Sequence, residues 1–232
     1  METVSSLTTE NVVETLSAFH AALEDHKESI NRLNVYPVPD GDTGTNMFLT
    51  VSSVLEELNG VDTTDRAAVC AAISHGSLMG ARGNSGVILS QVLRGISDRF
   101  ARADEIDAEV LAVALSEASV AADGSVMKPV EGTILTVVRE VAKAAQDTAK
   151  DGSILRTVEL ALEEGEAALD RTPEQLEVLR EAGVVDAGGA GFLLILHALL
   201  SVIDGRDLPE ATDTGAFAAV VEPHTVNDEL SE

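Results

Sequence analysis

Asn34-Val35-Tyr36-Pro37-Val38-Pro39-Asp40-Gly41-Asp42 places two carboxylates one glycine apart, behind two prolines that stiffen the approach and forbid helix. In extended or turn geometry, side chains at i and i+2 can face the same side. Two hard oxygen donors at that spacing suit Mg²⁺, which keeps several waters and binds one or two carboxylates together with substrate phosphates. Asn34 offers a third oxygen, directly or through water. A carboxylate about 4 Å from a phosphate charge is repelled by roughly 4 kcal/mol at an effective dielectric near 20, so phosphate at this segment requires a metal. An isolated Asp-Gly-Asp is more simply a turn and N-cap. The proline approach and the continuation Thr43-Gly44-Thr45-Asn46 favour the metal. A calcium loop is excluded, because twelve-residue counting from Asp40 ends at Val51 rather than Glu.

Three further junctions put glycine beside small polar or acidic residues before an apolar run: Gly80 to Gly86, Glu131-Gly132-Thr133, and Asp186 to Gly191. Capping explains one Ser, Thr, Asp or Asn per helix but does not require glycines on both sides of it. Glycine lets a ligand approach the backbone, and helix N-termini supply free N–H groups and partial positive charge. The pattern reads as a phosphate cradle built from several helix ends. Gly80 to Gly86 lacks the lysine of a P-loop and follows no strand, so neither familiar nucleotide loop applies. In that segment Asn84 and Ser85 would open a helix toward phosphate, with Arg82 as a candidate cation; a glycine C-cap followed by an Asn/Ser N-cap is the plainer alternative. Thr133 is a helix-start donor or a simple cap. Asp186 is not accounted for by close packing and is expected to meet a ribose hydroxyl or a metal-bound water.

No Ser/His/Asp or Cys/His constellation is legible, so covalent catalysis has no candidate. His197 reads as a hydrogen-bonded core histidine, and His75 as a structural residue or helix-end cation. Cys70, the single cysteine, excludes a disulfide framework and a multi-cysteine zinc site and is expected to be buried and inert.

The elements that must position these residues are helical. Ala and Leu dominate the 232 residues, aromatics are 3%, and no segment alternates as a half-buried strand does. Apolar spacing predicts helices over 9–29, 44–58, 65–79, 85–101, 107–122, 132–149, 153–169, 174–182 and 189–203, an all-α domain over 1–203. Residues 204–232 lose that periodicity and read as an acidic tail or linker to further domains. Lys+Arg 15 against Asp+Glu 40 gives −25, which disfavours nucleic acid and anionic membrane surfaces as partners. The N-terminus lacks a secretory pattern, and the apolar run Gly191 to Ile203 is too short to cross a bilayer. A cytoplasmic setting is expected.

Four segments together carry a resemblance: NVYPVPDGDTGTNM (Asn34 to Met47), GSLMGARGNSGVILSQVLRG (Gly76 to Gly95), KPVEGTILTV (Lys128 to Val137) and LREAGVVDAGGAGF (Leu179 to Phe192). In this order they resemble the nucleotide-binding domain of bacterial fatty acid kinase A subunits, which is related to the ADP-binding L subunit of dihydroxyacetone kinase. The resemblance runs from about residue 8 to 203. It implies a barrel of eight antiparallel amphipathic helices holding ATP or ADP and two Mg²⁺ at one end. On that resemblance Asp40 and Asp42 match metal ligands, and Asn34 is the nearest polar match, displaced by one position, to a third. Thr43, Gly44, Thr45 and Asn46 match a nucleotide-binding segment, with Thr43 where the dihydroxyacetone kinase branch has His. Asn84 and Ser85 match phosphate contacts, Gly124 and Thr133 nucleotide contacts, and Asp186, Ala187 and Gly188 a further nucleotide-binding turn.

The implied reaction is in-line transfer of the γ-phosphoryl group of ATP to a fatty acid carboxylate presented by a separate fatty-acid-binding B protein. A dihydroxyacetone kinase-like ADP-binding subunit and a nucleotide-binding regulatory module are the alternatives. The resemblance also allows a homodimer.

Overall fold

The computed structural model describes residues 5–211. Ten α-helices and one 3₁₀ turn account for the regular structure, and the described residues contain no strand beyond an isolated bridge between Leu7 and Ile106. Eight helices are long: α1 (Thr9–Leu33), α2 (Thr43–Leu58), α3 (Arg66–Gly80), α4 (Gly83–Ala101), α5 (Ala108–Gly124), α6 (Ile134–Thr148), α7 (Ile154–Asp170) and α10 (Ala187–Asp204). Two short ones, α8 (Thr172–Gln175) and α9 (Glu177–Ala182), fill the connection from α7 to α10.

The predicted helices are present, with one correction. The single helix expected over 174–182 is broken at Leu176, whose extended backbone (φ −130°, ψ 107°) ends α8 and begins α9. Tertiary packing causes the break: Leu176 lies against Gly132, where a Cβ would come 2.9 Å from the Leu176 Cβ. Local periodicity carries no trace of such a contact.

Each long helix packs on its neighbours in sequence, and α10 closes the order by packing on both α1 and α7. α10 is apolar around nearly its whole circumference and sits in the core: Phe192, Leu193 and Leu194 are almost fully buried. Against the expectation from the run Gly191 to Ile203, the whole of α10 is long and apolar enough to cross a membrane, the one such helix among the described residues, because it begins at Ala187, and most of it is buried inside the protein. Close approach between α4 and α5 depends on Gly95, where a Cβ would fall 2.7 Å from the Ala118 Cα. Cys70 is buried as expected, and burial pushes its thiol up to about 11.

The helix starts divide into two groups. α1, α3, α5 and α7 are capped by their own Thr8, Asp65, Asp107 and Ser153 side chains, each accepting a backbone N–H from the first turn. At the starts of α2, α4 and α6 the residues in the cap positions, Asp42, Arg82 and Thr133, make no side-chain cap hydrogen bond of their own. Those three starts, together with that of α10, share one cleft.

Beyond α10, Gly205 turns the chain (φ 76°), Leu208 packs on the core, and the Pro209 carbonyl accepts from the buried His26 ring at 2.9 Å. Residues 1–4 and 212–232, which include most of the expected acidic tail, lie outside the described residues.

Candidate functional site

The cleft has a volume of about 470 Å³. All four glycine-bearing junctions contribute to its walls: Asp40, Asp42 and Thr43 from the loop into α2; Gly83, Asn84 and Ser85 from the start of α4; Thr133 from the start of α6; and Asp186 and Gly188 from the start of α10. Asn34 and Tyr36 line it from the end of α1.

The carboxylates of the Asp-Gly-Asp segment are held open. Asp42 is the N-cap residue of α2, yet its side chain makes no cap hydrogen bond. Asp40 accepts from the buried Asn34 side-chain amide at 2.7 Å, which fixes one of its oxygens. The Asn34 amide nitrogen thus orients Asp40, and Asn34 itself lines the cleft. Among the described residues no group of three or more His, Cys, Asp or Glu gathers to hold a metal by itself. Two hard carboxylates in an open cleft are a donor set that would fit Mg²⁺, an ion that completes its shell with water and phosphate oxygens.

Gly83 has a left-handed backbone (φ 57°), and a Cβ there would meet the buried Asn46 amide at 2.3 Å. That contact sets Asn84 and Ser85 in the first turn of α4, and the Ser85 hydroxyl reaches the Thr43 carbonyl at 3.5 Å. Asn46 therefore supports the cleft from behind and does not line it. Gly44 and Thr45 also stand outside the walls. A Cβ on Gly44 would fall 2.3 Å from the Lys27 carbonyl of α1, and Thr45 exchanges two hydrogen bonds with Asn31, at 3.0 and 3.2 Å. Sequence reading placed this tetrapeptide at the site; in the fold one of its residues faces the cleft and three dock α2 onto α1 and α4.

Asp186 departs most from expectation. Its carboxylate caps α10, accepting from Gly189 N–H at 2.7 Å, and also accepts backbone hydrogen bonds from Gly188 and from Ile134 at the start of α6. One buried acid thus joins two helix starts, and its own N–H donates to Thr172 at 3.0 Å. Burial pushes its carboxyl up to about 6, against the opposing pull of those backbone N–H groups. The acid thus caps α10 while lining the cleft, and an Asp directly before the apolar run of α10 is the N-cap signal in the sequence.

Thr133 donates its hydroxyl to the Val130 carbonyl at 2.8 Å and leaves its own helix start to others. Ala187 and Gly124 do not line the cleft; Gly124 is the exposed last residue of α5. Arg82, the candidate cation, turns to the Met79 and Ala81 carbonyls at 3.4 and 3.1 Å and is absent from the cleft wall. His197 is half-buried within 3.4 Å of Glu166, and His75 is exposed within 3.3 Å of Glu57.

Sequence reading missed the segment after α5, where Ser125, Met127 and Lys128 form one side of the cleft, and the apolar Val87 and Ile88 of α4. The Lys128-Pro129 pair was the available signal, because proline holds the preceding residue out of helix.

Residues 37–201 match the DAK2 domain. The chain is 48% identical over 189 residues to "Protein YloV" of Bacillus subtilis, a match that covers 81% of this chain and 34% of that relative. It is 44% identical over 187 residues to "Uncharacterized protein SH1689" of Staphylococcus haemolyticus, covering 80% of this chain and 34% of the relative. The chain spans about a third of the length of the curated relatives it matches. It belongs to the DAK2 domain family, an ADP- or ATP-binding family related to the L subunit of dihydroxyacetone kinase.

Proposed function

We propose that this domain binds Mg-ATP in the cleft and directs the γ-phosphoryl group to a fatty acid carboxylate presented by a separate fatty-acid-binding protein, giving an acyl phosphate. We read the closed packing order of the eight long helices as the barrel expected of fatty acid kinase A subunits, with the nucleotide at one end. One observation carries the proposal: at the starts of α2, α4 and α6 the residue in the cap position makes no cap hydrogen bond, and these starts converge beside two carboxylates that are not used for capping.

Helix starts whose cap residues leave first-turn N–H groups free present those groups and the positive ends of helix dipoles to a polyphosphate. Asn84 and Ser85 add side-chain donors in the first turn of α4. Asp40 and Asp42 are the residues to hold Mg²⁺, with Asn34 fixing Asp40. Two such ions would neutralise phosphate charge as it develops in transfer. Val87, Ile88 and Met127 supply apolar wall suited to a base. A fatty acid carboxylate is already ionised at neutral pH, so the acceptor needs no general base.

The test has two stages. Calorimetry with Mg-ATP on this chain is expected to show metal-dependent binding. Phosphotransfer by this chain to fatty-acid-loaded partner protein, trapped with hydroxylamine, is expected to yield hydroxamate. Phosphorylation of dihydroxyacetone in place of the fatty acid would overturn the acceptor assignment, and absence of nucleotide binding would overturn the proposal as a whole.

A further inference from the structure

We infer that Lys128 is a phosphate-contacting residue of this cleft, supplying the positive side chain that the helix starts lack. The inference rests on the nucleotide reading above. Lys128 is the only Lys, Arg or His among the described residues that line the cleft. It makes no hydrogen bond or ion pair with another described residue. The cations that might have shared its task are held elsewhere: Arg82 lies on turn carbonyls, and Arg139 on the carboxylate of Glu131.

The surroundings give a lone cation a reason to be there. The chain carries −25, and Asp40, Asp42 and Asp186 stand in the same walls. A polyphosphate entering such a cleft meets these acids, and the positive charge of Lys128 offsets their field. A compact ammonium on a flexible stem suits a non-directional contact of this kind.

The loop that carries Lys128 is fixed at both ends. At the α5 end, the Ser125 N–H and hydroxyl donate to the Ala122 carbonyl at 3.1 and 2.6 Å. At the α6 end, the Thr136 hydroxyl donates to Glu131 at 2.8 Å and accepts from Gly132 N–H at 3.0 Å, and Arg139 grips the same carboxylate. Pro129 holds Lys128 out of helix, and the chain bends there.

Calorimetry with Mg-ATP on the unaltered chain, Lys128→Met and Lys128→Arg, each at several salt concentrations and with melting temperature measured in parallel, tests the inference. Lys128→Met is expected to bind about tenfold more weakly, as for loss of one charge-assisted contact. Its affinity should depend less steeply on salt, with the melting temperature unmoved. Lys128→Arg should recover affinity to within about threefold, since it keeps the charge. The inference is overturned if Lys128→Met binds within about twofold of the unaltered chain, keeps the same salt dependence, or is matched in its loss by Lys128→Arg. Failure of the unaltered chain to bind Mg-ATP would instead sink the nucleotide reading, and this inference with it.

Discussion

Asp186→Asn isolates the buried acid that joins α6 to α10. In the folded chain the Asp186 carboxyl is raised from its ordinary value of 3.8 to about 6, with burial as the largest cause. The folded state therefore binds more protons than the unfolded state between those values, and the stability contribution has a definite sign. It is fully present below pH 3.8 and is lost as pH rises through about 6. At about 1.36 kcal/mol per pH unit the loss is about 3 kcal/mol. Asparagine keeps one acceptor for the N–H of Gly189 and has no charge to bury, so it removes this dependence. Urea denaturation of both proteins at steps from pH 4 to pH 7 reads the difference. Stability of Asp186→Asn relative to the unaltered chain should move in the variant's favour by up to about 3 kcal/mol across that window. Other carboxylates, such as Glu131 and Asp204, which their arginine partners hold below the usual range, cancel in the comparison. A stability difference that stays flat with pH would refute both the burial argument and the shared-cap geometry.

Three further outcomes follow from the packing. Gly83→Ala should lose about 1–2 kcal/mol through left-handed strain alone, more because its Cβ meets the Asn46 amide, and should weaken Mg-ATP binding; thermal melts and calorimetry check both. Asn31→Ala removes the two hydrogen bonds that dock Thr45 and should cost roughly 1–2 kcal/mol in a urea titration. Cys70 should resist a thiol reagent at neutral pH until denaturant is added, because it is buried and its thiol is pushed up to about 11; rapid reaction of the folded chain would contradict that.

The elements were legible because amphipathic periodicity is local: eight long helices follow the apolar spacing of the sequence. The cleft was legible in outline for a related reason. Glycines flanking small polar residues mark helix starts, and all four marked junctions meet in it. What local pattern does not encode is which atoms at a junction face outward. Thr45 and Asn46 share a motif with Asp42 but turn to Asn31 and to the α4 start, as helical rotation over three residues requires. Asp186 and Asp42 both occupy cap positions, yet one caps and the other does not. The difference lies in the backbone, ψ 124° at Asp186 and 2° at Asp42, and is set by long-range packing. The Ser125 to Met127 part of the wall was not legible, having no helical periodicity to announce it, whereas the Lys128-Pro129 pair beside it left a trace in the sequence.

In the proposed function, Asp40 and Asp42 hold Mg²⁺ against a nucleotide at the converging helix starts. Mg-ATP calorimetry on the unaltered chain, Asp40→Asn and Asp42→Asn, repeated with EDTA, tests it most directly. The account expects metal-dependent binding that each substitution weakens by at least about tenfold, with melting temperatures little changed because neither carboxylate caps a helix. Equal affinity in all three proteins, or affinity indifferent to EDTA, would contradict it.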